Sequence, residues 1–363
     1  MRAQLVDPSA FTPPYDRALA AALARAGAEV ELVTSRFAYG DPPAADGYAV
    51  RELFYRHAVG APGSSLRRAA KLAEHGPDML RWRALAAAAD VVHIQWLTAP
   101  LLDVRLLPDR PLVLTAHDLL PREPRPGQVR AQRRLFERVT AIVVHSRYGA
   151  RQLTGRLGVP AARVHVIHHG AFPPGRAGEL PAELRDSGAP VVLFAGLLRP
   201  YKGLGTLLAA WRGVAGAQLW IAGRPMIDLD PMRRRAPPGV TFVPRFVSEP
   251  ELQALLARAD LVVLPYERTE RFDQSGVLAA ALGHGRAIIV TDVGGFSEIA
   301  ELGAARLVEP GDPGALHAAL VELIQDRSER NRLGAAALAA AAGPLSWDAA
   351  ATATLALYER ITS

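Results

Sequence analysis

Short runs of β-branched and aliphatic residues alternate with longer helical stretches along almost the whole chain. This alternation predicts βαβ units and parallel sheets. Most of the runs are continuously apolar, as expected of strands that are covered on both faces of a sheet. The predicted strands are 28–34, 90–95, 111–116, 141–146 and 163–168 in the first half, and 190–196, 217–223, 240–244, 261–265 and 287–292 in the second.

Two sets of strands in 363 residues predict two domains, each with its own core. A stretch rich in Pro, Gly and Ala separates them and indicates a linker. We therefore expect an α/β fold with two tandem, doubly wound domains that face a cleft. The predicted boundaries are 1–172 for the N-terminal domain, 173–189 for the linker, 190–345 for the C-terminal domain and 346–363 for a last amphipathic helix.

Composition narrows the class of protein. The chain has no cysteine, which excludes disulfides and thiolate metal sites. It has neither an apolar run that could span a bilayer nor a secretion signal at its N-terminus, so we expect a cytoplasmic protein. Contact with the inner face of the membrane stays open as an alternative.

The positive charge of the chain favours an anionic small molecule as its ligand. The formal net charge is +6, and Lys71 and Lys202 are the only lysines among 42 basic residues. We interpret the arginine bias as the codon usage of a GC-rich genome and expect no nucleic-acid partner. A basic groove would instead bind an anionic ligand.

Three strand-to-helix loops of the second half could bind that anion, because open sheets bind ligands at the carboxyl ends of their strands. In "FAGLLRPYKGLG", Arg199 and Lys202 follow a strand and precede a helix, which is typical of a phosphate site. In "DQSGVLAAALG", Ser275 and Gly276 open a helix whose N–H groups could face the same anion. The alternative there is a plain N-cap by Asp273 or Ser275. In "VTDVGGFSEI", paired glycines precede Glu298, and a tight turn explains them equally well.

In the first half, "TAHD" places His117 just past a strand end, where it could contact a sugar hydroxyl or be held by nearby backbone. We expect His93 to be a core residue. The Asp-x-Asp pair at Asp228 and Asp230 lies in a predicted solvated loop, and we expect no metal site.

These loops, in this order, resemble the retaining GT-B glycosyltransferases of the family 4 type (glycosyl transferases group 1). "FAGLLRPYKGLG" is similar to the family's donor-phosphate motif. "ADLVVLPY…SGVLAAALGHGRAIIVTDVGGFSEI" is similar to its signature block, and "DVVHIQW", "TAHD" and "VIHHG" fit its acceptor domain.

The resemblance implies two Rossmann-like domains and a C-terminal helix that crosses back to the N-terminal domain. It also implies a metal-independent, retaining transfer of a sugar from a nucleoside-diphosphate sugar to a hydroxyl acceptor, with no cofactor. Arg199, Lys202, Ser275 and Gly276 would bind the donor diphosphate, and His117 would contact the sugar at the reacting centre. The acceptor would be a carbohydrate, a lipid-linked molecule or another small molecule.

The sequence departs from the family in three places. The two glutamates of the signature block align with Phe272 and Ala280, so Asp273, Gln274 and Glu298 are the candidates for binding the donor sugar. Leu197 replaces the arginine after the strand glycine. "AFTPPYD" replaces the glycine-rich N-terminal loop, with Tyr15 and Asp16 as acceptor-side candidates. A non-catalytic nucleotide-sugar-binding or scaffold protein and a sugar-nucleotide epimerase stay open as alternatives.

Overall fold

The computed structural model describes residues 1–38, 40, 42, 44–61, 63–120, 126–269 and 274–363. The described chain forms two compact units. The first contains residues 1–170 and 347–363, and the second contains residues 171–269 and 274–346. No helix among the described residues is long and apolar enough to cross a membrane.

The first unit is built on a seven-stranded parallel sheet. Its elements are β1 (Arg2–Asp7), α1 (Pro13–Arg25), β2 (Glu29–Ser35), β3 (Ala49–Phe54), α2 (Ser65–Leu85), β4 (Val91–Ile94), α3 (Pro100–Leu106), β5 (Leu112–Thr115), α4 (Gln128–Arg138), β6 (Ala141–Val144), α5 (Arg147–Arg151) and β7 (Val164–Val166). The strand order is β3-β2-β1-β4-β5-β6-β7. The order reverses between β1 and β4, which is where doubly wound sheets bind ligands.

The second unit repeats this plan with a six-stranded parallel sheet. Its elements are β8 (Val191–Ala195), α6 (Leu204–Ala210), β9 (Gln218–Ala222), α7 (Asp230–Arg234), β10 (Val240–Val243), α8 (Glu249–Arg258), β11 (Leu261–Leu264), α9 (Gly276–Gly283), β12 (Ala287–Thr291), α10 (Phe296–Glu301), β13 (Arg306–Val308), α11 (Pro313–Gln325) and α12 (Arg327–Ala342). The strand order is β10-β9-β8-β11-β12-β13, with the reversal between β8 and β11.

The predicted α/β class is therefore confirmed, but three strands were missed. β1 lies inside the first sheet, between β2 and β4, and β3 and β13 lie at sheet edges. β1 interrupts its apolar residues with Arg2, Gln4 and Asp7, and β3 carries exposed polar side chains. Neither has the long apolar run by which the other strands were recognised.

The last helix, α13 (Trp347–Thr362), belongs to the first unit and packs against α1. Arg25 pairs with Asp348 at 2.7 Å. The Tyr358 hydroxyl lies 2.7 Å from Nδ1 of His93, a buried residue of β4. The terminal helix thus shares the core of the first unit.

Candidate functional site

A glycine at the end of β8 shapes the loop that carries the candidate phosphate ligands. Gly196 has φ of +105°, and a Cβ at this position would lie 2.8 Å from Nζ of Lys202 and 3.2 Å from Cγ2 of Val277. The Lys202 side chain is buried, and Val277 belongs to the first turn of α9. The lysine ammonium and the start of α9 therefore meet where β8 ends, and only glycine leaves room for both.

Tyr266, which follows β11, contacts both Lys202 and the residue that precedes α9. The Lys202 ammonium lies 5.1 Å from the centroid of its ring, and its hydroxyl lies 3.1 Å from Oγ of Ser275. Tyr201 and Phe296 pack against the ring with centroid distances of 5.6 and 5.2 Å. Tyr266 was not predicted from the sequence, although an aromatic residue directly after the apolar run 261–265 is a visible signal.

Ser275 occupies the N-cap position of α9, but its hydroxyl bonds to Tyr266 instead of capping the helix. The Ser275 N–H donates to Oε1 of Gln274 at 3.0 Å. Gly276 is exposed, and a Cβ there would find no atom within 4 Å. The start of α9 is thus open enough for an anion to approach its first N–H groups. Asp273, the other proposed cap and sugar ligand, lies outside the described residues, as does Phe272.

The loops after β8 and β11 pack closely against each other at Gly203. A Cβ on this residue, which has φ of +70°, would lie 1.8 Å from the carbonyl oxygen of Pro265. The Glu267 N–H donates to the Tyr201 carbonyl at 2.7 Å, and its carboxylate accepts from the Thr206 hydroxyl at 2.7 Å. Glu267 was not predicted from the sequence either. Its carboxylate lies beside the loop that follows β8.

Arg199 and Glu298 occupy the neighbouring loops. Arg199 is partly buried, and its carbonyl accepts from the Lys202 N–H at 3.1 Å, which closes a single 3₁₀ turn. Glu298 is 9% exposed and lies in the first turn of α10, its N–H donating to the Gly295 carbonyl at 3.2 Å. Both residues thus follow strands of the second sheet, Arg199 after β8 and Glu298 after β12.

The small residues of α9 allow close backbone contacts. A Cβ on Gly283 would lie 1.9 Å from the Phe172 carbonyl, and the Phe172 N–H donates to the Ala279 carbonyl at 3.1 Å. Ala280 is 5% exposed within this packing. The position that aligns with the family's second glutamate is therefore a packing position in this chain.

In the first unit, His117 lies among aromatic rings beyond the end of β5. Its ring stacks on Trp96 at 5.1 Å and meets the edge of Tyr15 at 4.7 Å. Its Nε2 lies 3.0 Å from Oε1 of Gln95, and its Nδ1 lies 3.4 Å from Nε2 of His145. Both ring nitrogens have partners inside this unit, so a sugar hydroxyl would have to replace one of them.

Burial keeps this histidine cluster uncharged. Burial, and then the imidazoles of His145 and His169, lower the pKa of His117 well below its ordinary value. Burial also lowers the pKa of His145 to about 3 and that of His169 to about 4. Near neutral pH these rings can exchange hydrogen bonds with a polar ligand but carry no charge.

Tyr15 and Asp16, the acceptor-side candidates, are core residues of α1. Tyr15 is 5% exposed and its ring packs on His169 and Trp347 at 4.9 and 5.1 Å. Asp16 is buried beside Asp7, and burial followed by the Asp7 charge raises the pKa of Asp16 well above its ordinary value. The structure gives both side chains partners within the fold and little exposed surface.

Comparison with known proteins agrees with this architecture. The family described as "Glycosyltransferase Family 4" matches residues 17–171, and that described as "Glycosyl transferases group 1" matches residues 189–326. D-inositol 3-phosphate glycosyltransferase of Mycobacterium tuberculosis is 30% identical over 377 residues, covering 93% of this chain and 76% of the relative. The same enzyme of Kineococcus radiotolerans is 28% identical over 401 residues, covering 94% and 88%.

Solved structures share the fold. Sucrose-phosphate synthase from Thermosynechococcus elongatus aligns with a TM-score of 0.75 and 21% identity over 99% of each chain. Anabaena HepE, solved in complex with UDP and glucose, aligns with a TM-score of 0.71 and 18% identity over 99% of this chain and 100% of its own.

Two doubly wound parallel sheets, together with these structural neighbours, define the GT-B fold. The chain belongs to the group 1 glycosyltransferases of family 4.

Proposed function

We propose that the protein is a retaining glycosyltransferase that transfers a sugar from a nucleoside-diphosphate sugar to a hydroxyl acceptor without a metal ion. The observation that carries the proposal is the meeting of the Lys202 ammonium with the first turn of α9 beside Gly196. A diphosphate is an anion that binds well to a fixed cation and to exposed N–H groups at the start of a helix.

The same groups would assist the reaction. As the bond between sugar and diphosphate breaks, negative charge grows on the leaving phosphate and the sugar becomes oxocarbenium-like. A buried ammonium and oriented N–H groups stabilise that charge without reorganising, which is the largest contribution in many enzymes. The leaving phosphate would then help to deprotonate the acceptor hydroxyl on the face from which it departs, so that configuration is retained.

For the donor, UDP-glucose bound to Anabaena HepE supports a nucleotide sugar. For the acceptor, the names of the curated relatives favour a phosphorylated polyol over a polysaccharide or a lipid-linked sugar. Gln274, Glu298 and the neighbouring Glu267 are our candidates for contacts with the donor sugar and ribose, in place of the family glutamate that Ala280 replaces. We expect the enzyme to act in the cytoplasm.

The test is a thermal-shift panel of nucleoside diphosphates and their sugars, each with and without EDTA. A ligand at 100 times its Kd contributes about 2.7 kcal/mol of stability, which raises Tm by several degrees. We expect at least one base to give this rise, and EDTA to leave it unchanged. If no nucleotide stabilises the protein, the donor site is refuted; if the rise disappears with EDTA, the metal-independent mechanism is.

A further inference from the structure

A line of hydrogen bonds joins the ends of four neighbouring strands of the first sheet. Gln95 directly follows β4, and His117 follows β5 by two residues. His145 directly follows β6, and Ile167 directly follows β7. The four strands are adjacent and parallel, in the order β4-β5-β6-β7. Their ends therefore bring these residues together, although 22 or 28 positions separate each from the next.

The carbonyl of Ile167 fixes the hydrogen of His145. It lies 3.0 Å from Nδ1 of His145, and since a carbonyl oxygen only accepts, this nitrogen carries the hydrogen. His145 is buried, and burial lowers its pKa to about 3, so the ring is neutral near pH 7. A neutral imidazole has one N–H group, so Nε2 of His145 carries no hydrogen.

His145 in turn fixes the hydrogen of His117. Nε2 of His145 lies 3.4 Å from Nδ1 of His117, and a hydrogen bond between them needs one hydrogen. Because Nε2 of His145 has none, Nδ1 of His117 supplies it. Two bare nitrogens would leave both without a hydrogen bond, which is costly away from water. Nε2 of His117, which is neutral as well, is therefore bare and can only accept a hydrogen.

Gln95 completes the line on the other side of His117. Its Oε1 lies 3.0 Å from Nε2 of His117, and its own Nε2 is buried with no hydrogen-bond partner among the described residues. An oxygen facing a bare nitrogen would bring two acceptors together. Turning the amide over exchanges two atoms of nearly equal size and directs the NH₂ group at His117. The bare nitrogen then accepts a hydrogen, and the buried NH₂ group gains a partner.

Aromatic rings hold His117 in this orientation. Trp96 stacks on its face with an angle of 12° between the planes, and Tyr15 meets it at 89°. Nε1 of Trp96 donates to the Thr12 hydroxyl at 2.9 Å, which fixes the stacking ring. The His117 side chain is only partly buried, so a ligand can reach it. Its nitrogens thus stay directed along the line of hydrogen bonds while the ring remains accessible.

Resting on the proposed function, we infer that His145 is a positioning residue: it fixes His117 in the tautomer with hydrogen on Nδ1, so that Nε2 accepts a hydrogen from a substrate hydroxyl. The hydroxyl replaces the NH₂ group of Gln95 as the donor to this nitrogen. His117 takes no proton from the substrate, because the line ends on the Ile167 carbonyl. A carboxylate at that end would instead stabilise an imidazolium, as in a Ser-His-Asp triad.

The tautomer can be measured in the free protein. The ten histidines are labelled with ¹⁵N, and the signals of residue 117 are identified with His117→Gln. A ring nitrogen with hydrogen and one without give well separated ¹⁵N signals. We expect His117 at pH 7.5 to carry its hydrogen on Nδ1 and none on Nε2. Hydrogen on Nε2, or a mixture of the two tautomers, would overturn the proposal.

Variants test which neighbour sets the tautomer. His145→Phe keeps a ring and removes the acceptor, so the His117 hydrogen should move to Nε2, where the Gln95 carbonyl can accept it. The matched control is His169→Phe, because Nδ1 of His169 faces the Gly170 carbonyl at 2.8 Å instead, and the tautomer should stay. Gln95→Met should also keep hydrogen on Nδ1. If His145→Phe keeps it there, or if Gln95→Met moves it, His145 is not the positioning residue.

Ligands identify the hydroxyl. A hydroxyl that donates to the bare Nε2 of His117 shifts its ¹⁵N signal. A shift with UDP-glucose that UDP does not produce assigns the hydroxyl to the donor sugar, and a shift with D-inositol 3-phosphate assigns it to the acceptor. Whichever ligand shifts the signal should bind about tenfold more weakly to His145→Phe, while UDP affinity stays unchanged. No shift with either ligand at saturation, or equal affinity in the variant, would refute the role of Nε2.

Failure of the proposed function has a different signature. In that case neither UDP nor UDP-glucose would bind, whereas the tautomer of His117 in the free protein would still follow from His145.

Discussion

Lys202 is the residue on which the proposed donor site most depends. Its ammonium is fixed between the Tyr266 ring, the backbone at Gly196 and the start of α9. A lysine brings a compact ammonium to this position, whereas an arginine would bring a larger planar guanidinium. The scarcity of lysine in the sequence pointed to this position, but the reason for it lies in the packing.

Replacing this lysine tests its role. Lys202→Met keeps most of the side-chain volume and removes the charge, so we expect the fold to be kept. Loss of a charge-assisted contact of about 1.5–3 kcal/mol should weaken UDP binding between roughly tenfold and a hundredfold. Calorimetry should show normal affinity for Arg212→Met, which removes an exposed arginine just after α6. Unchanged UDP affinity in Lys202→Met would remove Lys202 from the donor site.

At the scale of elements, histidines on and after the strands of the first unit are buried without charge. Burial lowers the pKa of His93 on β4 to about 3, similar to that of His145 just after β6. A histidine that is harder to protonate when folded stabilises the protein fully above its ordinary pKa of about 6.5. That stability is lost as pH falls from there towards about 3, because the unfolded chain takes up protons first.

We therefore expect the first unit to lose stability between pH 7.5 and pH 5, by up to about 2 kcal/mol for each of His93, His145 and His169. Asp7 and Asp16 act in the opposite direction, since their raised pKa values favour the folded state at low pH. They are two groups against four, because burial lowers the pKa of His117 as well. Thermal unfolding at the two pH values measures the difference. His93→Gln should reduce the dependence on pH, whereas the exposed His57 changed to Gln should not. A Tm that is equal at both values would contradict this account.

How much the sequence could predict differs between elements. Strands with long apolar runs, such as β8 and β12, were predictable because burial on both faces requires that composition. The position of β1 inside its sheet, between β2 and β4, was not predictable, since its sequence, "RAQLVD", has no such run. The carboxyl pair of Asp7 and Asp16 is a tertiary contact between β1 and α1 that no local spacing encodes.

The same limit applies to the candidate site. Arg199, Lys202, Ser275 and Gly276 were found because each follows a strand and precedes a helix, and that order is visible in the chain. Tyr266 and Glu267 were missed because their contacts cross between loops. The predicted roles of Tyr15 and Asp16 rested on their place in the chain, and their burial became visible only once α1 was packed on the sheet.

At the scale of the whole molecule, both units are built on a doubly wound parallel sheet. Each sheet reverses its order once, between β1 and β4 in the first unit and between β8 and β11 in the second. We propose that the second unit holds the donor diphosphate through Lys202 and that the first unit contacts the acceptor.

The central claim, retaining transfer from a nucleotide sugar without a metal, is tested most directly by the product. The protein is incubated with α-linked nucleotide sugars and D-inositol 3-phosphate in EDTA, and proton NMR follows the anomeric signal. We predict release of the nucleoside diphosphate together with a product whose small H1–H2 coupling marks an α-glucoside or α-galactoside. A β-linked product, or no transfer from any nucleotide sugar under conditions in which UDP binds, would contradict the account.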